Sequence, residues 1–124
     1  RLESGNTLVA LQQPIQRVVE LDTTGHIVWE ARTSGNPPWH AVRLENGNTL
    51  VTLAQARKVI EFDPTGKTIV WSTQVSLIHP LAAQRLPSGT TLVADQTGLR
   101  EIDASGKQII RHLRLPSLTG LSCY

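Results

Sequence analysis

Short runs in which aliphatic and β-branched residues alternate with polar ones recur along the chain, each bounded by Gly, Pro, Asn, Asp or Ser. The first reads as a strand over Asn6–Leu11, followed by Arg17–Asp22 and, past the Thr23-Thr24-Gly25 turn, by His26–Glu30. A fourth, Trp39–Leu44, follows the break at Gly35-Asn36-Pro37-Pro38. The same order is predicted again for Asn48–Leu53, Lys58–Asp63, Thr68–Ser72 and Leu81–Leu86, and once more for Thr90–Ala94, Leu99–Asp103, Gln108–Leu113 and Leu118–Tyr124. No segment carries a helical period, so the chain reads as all-β. Asn-Gly, Pro-Ser-Gly and Asp-x-x-Gly between the runs are hairpin chemistry, with Gly taking the positive φ that other residues resist. Successive strands should therefore pair antiparallel as meanders.

The pattern repeats in detail. Arg43-Leu44-Glu45-Asn46-Gly47-Asn48-Thr49-Leu50-Val51 echoes Arg1-Leu2-Glu3-Ser4-Gly5-Asn6-Thr7-Leu8-Val9 and is echoed by Arg85-Leu86-Pro87-Ser88-Gly89-Thr90-Thr91-Leu92-Val93. Three repeats, 1–42, 43–84 and 85–124, fill a single domain spanning 1–124. Four short strands per unit of about forty residues is the signature of β-propeller blades. Gly5-Asn6-Thr7-Leu8-Val9, then Arg17-Val18-Val19-Glu20-Leu21-Asp22 with Gly25, and Ile27-Val28-Trp29 resemble the PQQ-like (quinoprotein-like) β-propeller repeats, which are related to NHL repeats. The resemblance covers all three units and speaks for the blade rather than for a function, since most such repeats never meet the quinone. It implies that Trp29 and Trp71 pack between neighbouring blades. Arg111 aligns with them in the third repeat, where a looser or more solvated junction is expected.

The repeat boundaries fall within strands. Trp39–Val42 precede Arg43-Leu44 and Leu81–Gln84 precede Arg85-Leu86, whereas Leu121-Ser122-Cys123-Tyr124 and Arg1-Leu2 stand at opposite ends of the chain. Read circularly, Tyr124 falls next to Arg1, and the C-terminal segment would complete the innermost strand of the first blade. Three blades close poorly on themselves, whereas two chains make a six-bladed ring of ordinary size. The expectation is a head-to-tail homodimer of two-fold symmetry, closed through Arg1, Leu2, Leu121, Ser122, Cys123 and Tyr124. A nine-bladed trimer and an excerpt of a longer single-chain propeller are the alternatives. The lack of any Met, including at the start, fits a processed product or a cut piece.

Composition narrows the partners. Twelve Lys and Arg against ten Asp and Glu, scattered singly, form neither a nucleic-acid stripe nor a polybasic membrane patch. A lone cysteine, Cys123, allows no internal disulfide, leaves the compartment open, and reads as a small apolar residue of the completing strand rather than a reactive thiol.

Candidate chemistry is sparse. The acidic pairs Glu20 with Asp22, Glu61 with Asp63 and Glu101 with Asp103 recur in every repeat, which favours local turn-capping over a catalytic or metal role. Arg17, Lys58 and Arg100 stand just before these acids and are expected to pair with them on solvated strands. Residues that break the repeat are more informative. Loops entering the innermost strand, and those between the second and third strands, should crowd one face, where Trp39, His40, Arg57, His79 and Asp95 could meet an unidentified small molecule or protein. His40 and His79 come nearest to a metal pair, but they are not equivalent in the repeat and need not converge. His26, in a hairpin turn, and His112, on an outer strand, read as surface residues. No serine sits in a nucleophile-elbow motif.

Within the resembling family, quinoprotein dehydrogenases bind PQQ and Ca²⁺. This chain lacks their vicinal cysteine pair and their acidic and amide cluster, and a sulfotransferase-like catalytic His cannot be placed on it. The reading is a non-enzymatic binding and scaffold module with no cofactor. The alternative is a piece of a larger secreted or periplasmic enzyme propeller whose catalytic residues lie elsewhere.

Overall fold

The computed structural model describes residues 2–12 and 15–114. Arg1, Leu121, Ser122, Cys123 and Tyr124, the strand expected over Leu118–Tyr124 and the loop beyond Arg114 lie outside the described residues. Within them the chain is all-β, without helix. The strands are β1 (Thr7–Leu11), β2 (Arg17–Leu21), β3 (Ile27–Arg32), β4 (His40–Arg43), β5 (Thr49–Leu53), β6 (Lys58–Phe62), β7 (Ile69–Ser72), β8 (Ala82–Arg85), β9 (Thr91–Asp95), β10 (Gly98–Ile102) and β11 (Ile109–Arg114). They form three small antiparallel sheets in the orders β1-β2-β3, β4-β5-β6-β7 and β8-β9-β10-β11.

Turn chemistry sets the hairpins as the spacing predicts. Asp22 Oδ1 accepts from the Thr24 and His26 N–H groups, Asp63 Oδ1 from Thr65 and Gly66, and Asp103 Oδ1 from Lys107 and Gln108. These bonds tie off the β2–β3, β6–β7 and β10–β11 connections. Each sheet also carries a β-bulge at the same place, between Glu20 and Leu21, between Glu61 and Phe62, and between Glu101 and Ile102. A bulge twists the strand locally and re-aims its side chains.

Packing is face to face in succession. The first sheet lays Leu8, Val18, Trp29 and Ala31 on Ala41, Val51, Leu53, Ile60 and Phe62 of the second. The opposite face of the second sheet sets Val42, Leu50, Val59 and Trp71 on Ala83, Val93, Ile102 and Ile109 of the third. The second sheet is thus covered on both sides, and all five residues of its strand β5 are buried. A strand with both faces covered reads as a continuous buried run rather than as an alternation.

Candidate functional site

In a meander, connections alternate between the two ends of the sheet, so the β1–β2, β3–β4, β5–β6 and β7–β8 loops gather at one end. Backbone and side-chain bonds tie them together: Thr33 N–H to the Gln16 carbonyl, Gln12 Nε2 to the Pro38 carbonyl, and Leu77 N–H to the Arg57 carbonyl. Three non-glycine residues on these loops hold positive φ: Ser34 at 55°, Arg57 at 59° and His79 at 49°. Side chains resist that conformation, and such residues concentrate at functional sites.

The sequence-predicted residues divide here. Trp39 stands 53% exposed, its N–H bonded to the Thr52 carbonyl. The His79 ring meets it edge to face, centroids 6.1 Å apart and planes at 61°. Arg57 is exposed and tied to the same loop as His79 through Leu77. His40 opens β4 opposite Thr52 and is half-buried. Asp95 does not belong with them. It is buried, its Oδ1 caps the turn into β10 through Thr97 and Gly98, and its Oδ2 accepts from Arg100 Nε at 2.7 Å. Burial pulls its pKa up, but the Thr97 hydroxyl and the Arg100 guanidinium outweigh that and hold the carboxyl below its ordinary value. The expectation that Asp95 faces a ligand is corrected on this point: both oxygens are already engaged inside the third sheet. Among the described residues no group of three or more His, Cys, Asp or Glu stands together to hold a metal ion.

Sequence reasoning missed two features of this end. Thr52 Oγ1 is buried without a hydrogen-bond partner, in register with His40. Ile78, next to His79 in the chain, is 44% exposed.

Burial disfavours the His40 imidazolium, so its pKa lies below the ordinary 6.5. As pH falls, the unfolded chain takes up that proton first. His40 therefore contributes stability that is fully present above pH 6.5, declines below it, and levels off beneath the folded pKa. Urea midpoints measured at pH 7.5 and 5.5 should fall less in His40→Gln than in the parent, and equal falls would contradict this placement.

At the opposite end the recurrent acids have other partners than expected. Arg17 bonds Glu30 at 2.6 Å and Arg100 bonds Asp95. Glu20 and Glu61 instead accept from the next sheet: Arg43 Nη2 to Glu20 Oε1 at 3.0 Å, and Arg85 Nη2 to Glu61 Oε1 at 2.8 Å. The other carboxylate oxygen takes Asn6 in the first sheet and Asn48 in the second. Each of these arginines lies over a tryptophan, Arg43 over Trp29 and Arg85 over Trp71, both 4.8 Å from the ring centroid. The indoles reach forward as well, Trp29 Nε1 to the Pro64 carbonyl and Trp71 Nε1 to the Ala104 carbonyl. Acid, arginine and indole thus form one repeated joint, and a guanidinium held over an aromatic face in partial burial adds about 1 kcal/mol.

Two open grooves flank the inner strands. One, about 860 Å³, runs along β4 and β8 and is lined by His40, Val42, Gln84, Leu92, Ala94 and Leu99. The other, about 810 Å³, lies between the sheets beside Leu2, Leu8, Glu20, Val42 and Arg43.

No family model matches the chain, and no curated protein matches it. Among solved structures it is similar to a protein of unknown function from Bacteroides caccae, with a TM-score of 0.69 and 24% sequence identity, over 91% of this chain. The chain spans 43% of that protein's length, and the similarity speaks for a shared fold.

Proposed function

We propose that the chain is a non-enzymatic β-propeller module, three blades of a ring, that self-assembles through its repeats and presents the loop end around Trp39 and His79 to a partner or ligand. One observation carries this reading: the two outward faces repeat the residues of the two internal joints. In a strand, alternate residues point to opposite faces, so Val9, Leu11 and Leu21 face away from the second sheet. They hold the repeat positions of Val51, Leu53 and Phe62, which are buried. Leu92, Leu99 and Glu101, on the far face of the third sheet, likewise hold the positions of Leu50, Val59 and Glu61. One face of the chain is therefore built to receive what the other offers. Among the described residues β1 pairs on one side only, whereas β5 and β9 pair on both.

In this assembly Leu121-Ser122-Cys123-Tyr124 of one copy precedes Arg1 of the next as Trp39-His40-Ala41-Val42 precedes Arg43, and completes the first sheet of that next copy as its innermost strand. Two copies make six blades. The PQQ-like repeat style is the family reading that agrees with the indole joints. Light scattering on a size-exclusion column should give twice the chain mass for the intact protein and a single mass after removal of Leu118–Tyr124. A monomeric intact protein at every concentration would sink the proposal.

A second reading, a piece of a larger enzyme propeller, draws on the chain's spanning 43% of its structural neighbour. Uptake of a divalent ion that is lost on replacing His40 or His79 would favour that reading over the scaffold.

A further inference from the structure

Both internal joints follow one plan, and the third sheet carries a changed version of its donor half. In the first two sheets the residue opposite the recurrent acid is a tryptophan, Glu20 facing Trp29 and Glu61 facing Trp71; in the third, Glu101 faces Arg111. The indole does two things in each joint. Its N–H bonds the carbonyl of the second residue in the next Asp-x-x-Gly turn, Pro64 or Ala104. Its ring also covers that turn's glycine. A Cβ on Gly66 would stand 2.8 Å from Trp29 and 2.5 Å from the Glu30 carbonyl, and one on Gly106 would stand 3.2 Å from Trp71 and 2.6 Å from the Ser72 carbonyl.

Among the described residues, the receiving half on the first sheet is empty. Its turn runs Asp22-Thr23-Thr24-Gly25, Gly25 holds φ +90°, and a Cβ there would meet nothing within 4 Å. The Thr23 carbonyl, in the place of those of Pro64 and Ala104, accepts no hydrogen bond from the described residues. On the donor side Arg111 is 79% exposed, with its Nε 3.7 Å from Glu101 Oε1. Glu101 Oε2 keeps the Thr90 hydroxyl, at the place where Glu20 and Glu61 hold Asn6 and Asn48.

From this we infer that the closing joint between copies is made by Arg111 of one chain against the Asp22–Gly25 turn of a second copy, the guanidinium replacing the indole as donor to the Thr23 carbonyl. The inference rests on the head-to-tail assembly proposed above and names the contact that closes it. A guanidinium carries the N–H the carbonyl needs, and the turn's Asp22 adds a matching charge. It lacks the ring that covers the glycine at the internal joints. Closure between copies is therefore the weakest joint of the ring, more open to water and to salt than the two within each chain. This makes the assembly reversible at a defined place while each chain stays intact.

Arg111→Trp should turn the closing joint into an internal one. Sedimentation velocity across a concentration series, at low and high NaCl, should show the self-association Kd tightened by about tenfold or more and its salt dependence reduced. Gly25→Ala should loosen association, because the new methyl enters the space over which the incoming strand passes. Gly89→Ala, at φ +93° with nothing within 4 Å, carries the same backbone strain away from the joint and should leave the Kd unchanged. Far-UV circular dichroism checks that each variant is folded. If the parent associates but Arg111→Trp and Gly25→Ala both leave its Kd unchanged, this joint is wrong and the assembly stands by another contact. If the parent and Arg111→Trp are both monomeric throughout, the joint and the assembly fall together. Association gained only on Arg111→Trp would overturn both, since the parent chain would then not close through Arg111.

Discussion

Replacing Trp29 with alanine is expected to destabilise the protein by about 3 kcal/mol, the lower end of the range for losing a large aromatic, because the ring is only partly buried. The loss has three sources. The ring leaves the cluster that joins the first sheet to the second, the Pro64 carbonyl loses its 2.8 Å donor, and Arg43 loses the face it lies on while still bonded to Glu20. Trp29→Phe separates them in part, since it keeps a smaller ring in the cluster and removes the N–H, whose hydrogen bond accounts for about 1 kcal/mol of the cost. Urea unfolding measures both variants. An alanine variant as stable as the parent would mean that the indole is not what holds these sheets together.

A comparable loss is expected from adding one methyl group at Gly66. The residue holds φ +76°, which costs any L side chain about 1 kcal/mol or more. Its Cβ would in addition stand 2.5 Å from the Glu30 carbonyl and 2.8 Å from the Trp29 ring. A backbone carbonyl cannot swing aside as a side-chain tip can, so the first and second sheets must separate. Gly66→Ala should therefore cost about 3 kcal/mol, against about 1 kcal/mol for Gly89→Ala, where φ is similar and nothing is near. The difference between the two midpoints isolates the contact from the backbone strain, and equal losses would remove the contact from the account.

How far these joints can be read from the sequence depends on which link is asked for. Within the described residues, alternation and turn residues place the strands to within a residue or two: Lys58–Asp63 is expected and Lys58–Phe62 is found, Leu81–Leu86 is expected and Ala82–Arg85 is found. Ends contract because Asp63 and Leu86 belong to the turns, where their groups bond locally. The position of Trp29 and Trp71 between sheets is what the resemblance to PQQ-like repeats implies. The partners of the acids cannot be read in this way. Glu20 has Arg17 three residues away and Arg43 twenty-three away, and proximity along the chain favours the wrong one. The bulge after Glu20 and the stacking of successive sheets bring Arg43 to it, and neither leaves a mark in composition. The signal that could have found it was recurrence: Arg43 and Arg85 occupy equivalent places, as Glu20 and Glu61 do.

At the loop end, Trp39 and His79 come together although they are not equivalent in the repeat, because they stand on loops of adjacent sheets. Asp95 stands at an equally irregular position and turns inward to Arg100, since a short turn into β10 needs its carboxylate. Irregularity in a repeat marks where to look, but burial decides which side chains remain available.

Glu20 and Glu61 each reach only one unit ahead, to Arg43 and Arg85, and each of those arginines only one unit back. Such a unit can be copied in tandem without inventing any new contact, as a link can be added to a chain. Gene duplication or unequal crossing-over could therefore alter the number of sheets in whole steps, with every intermediate length already furnished with working joints. A unit can diverge at one place and leave the others intact, and the third repeat, with Arg111 where its neighbours carry Trp29 and Trp71, is one that has.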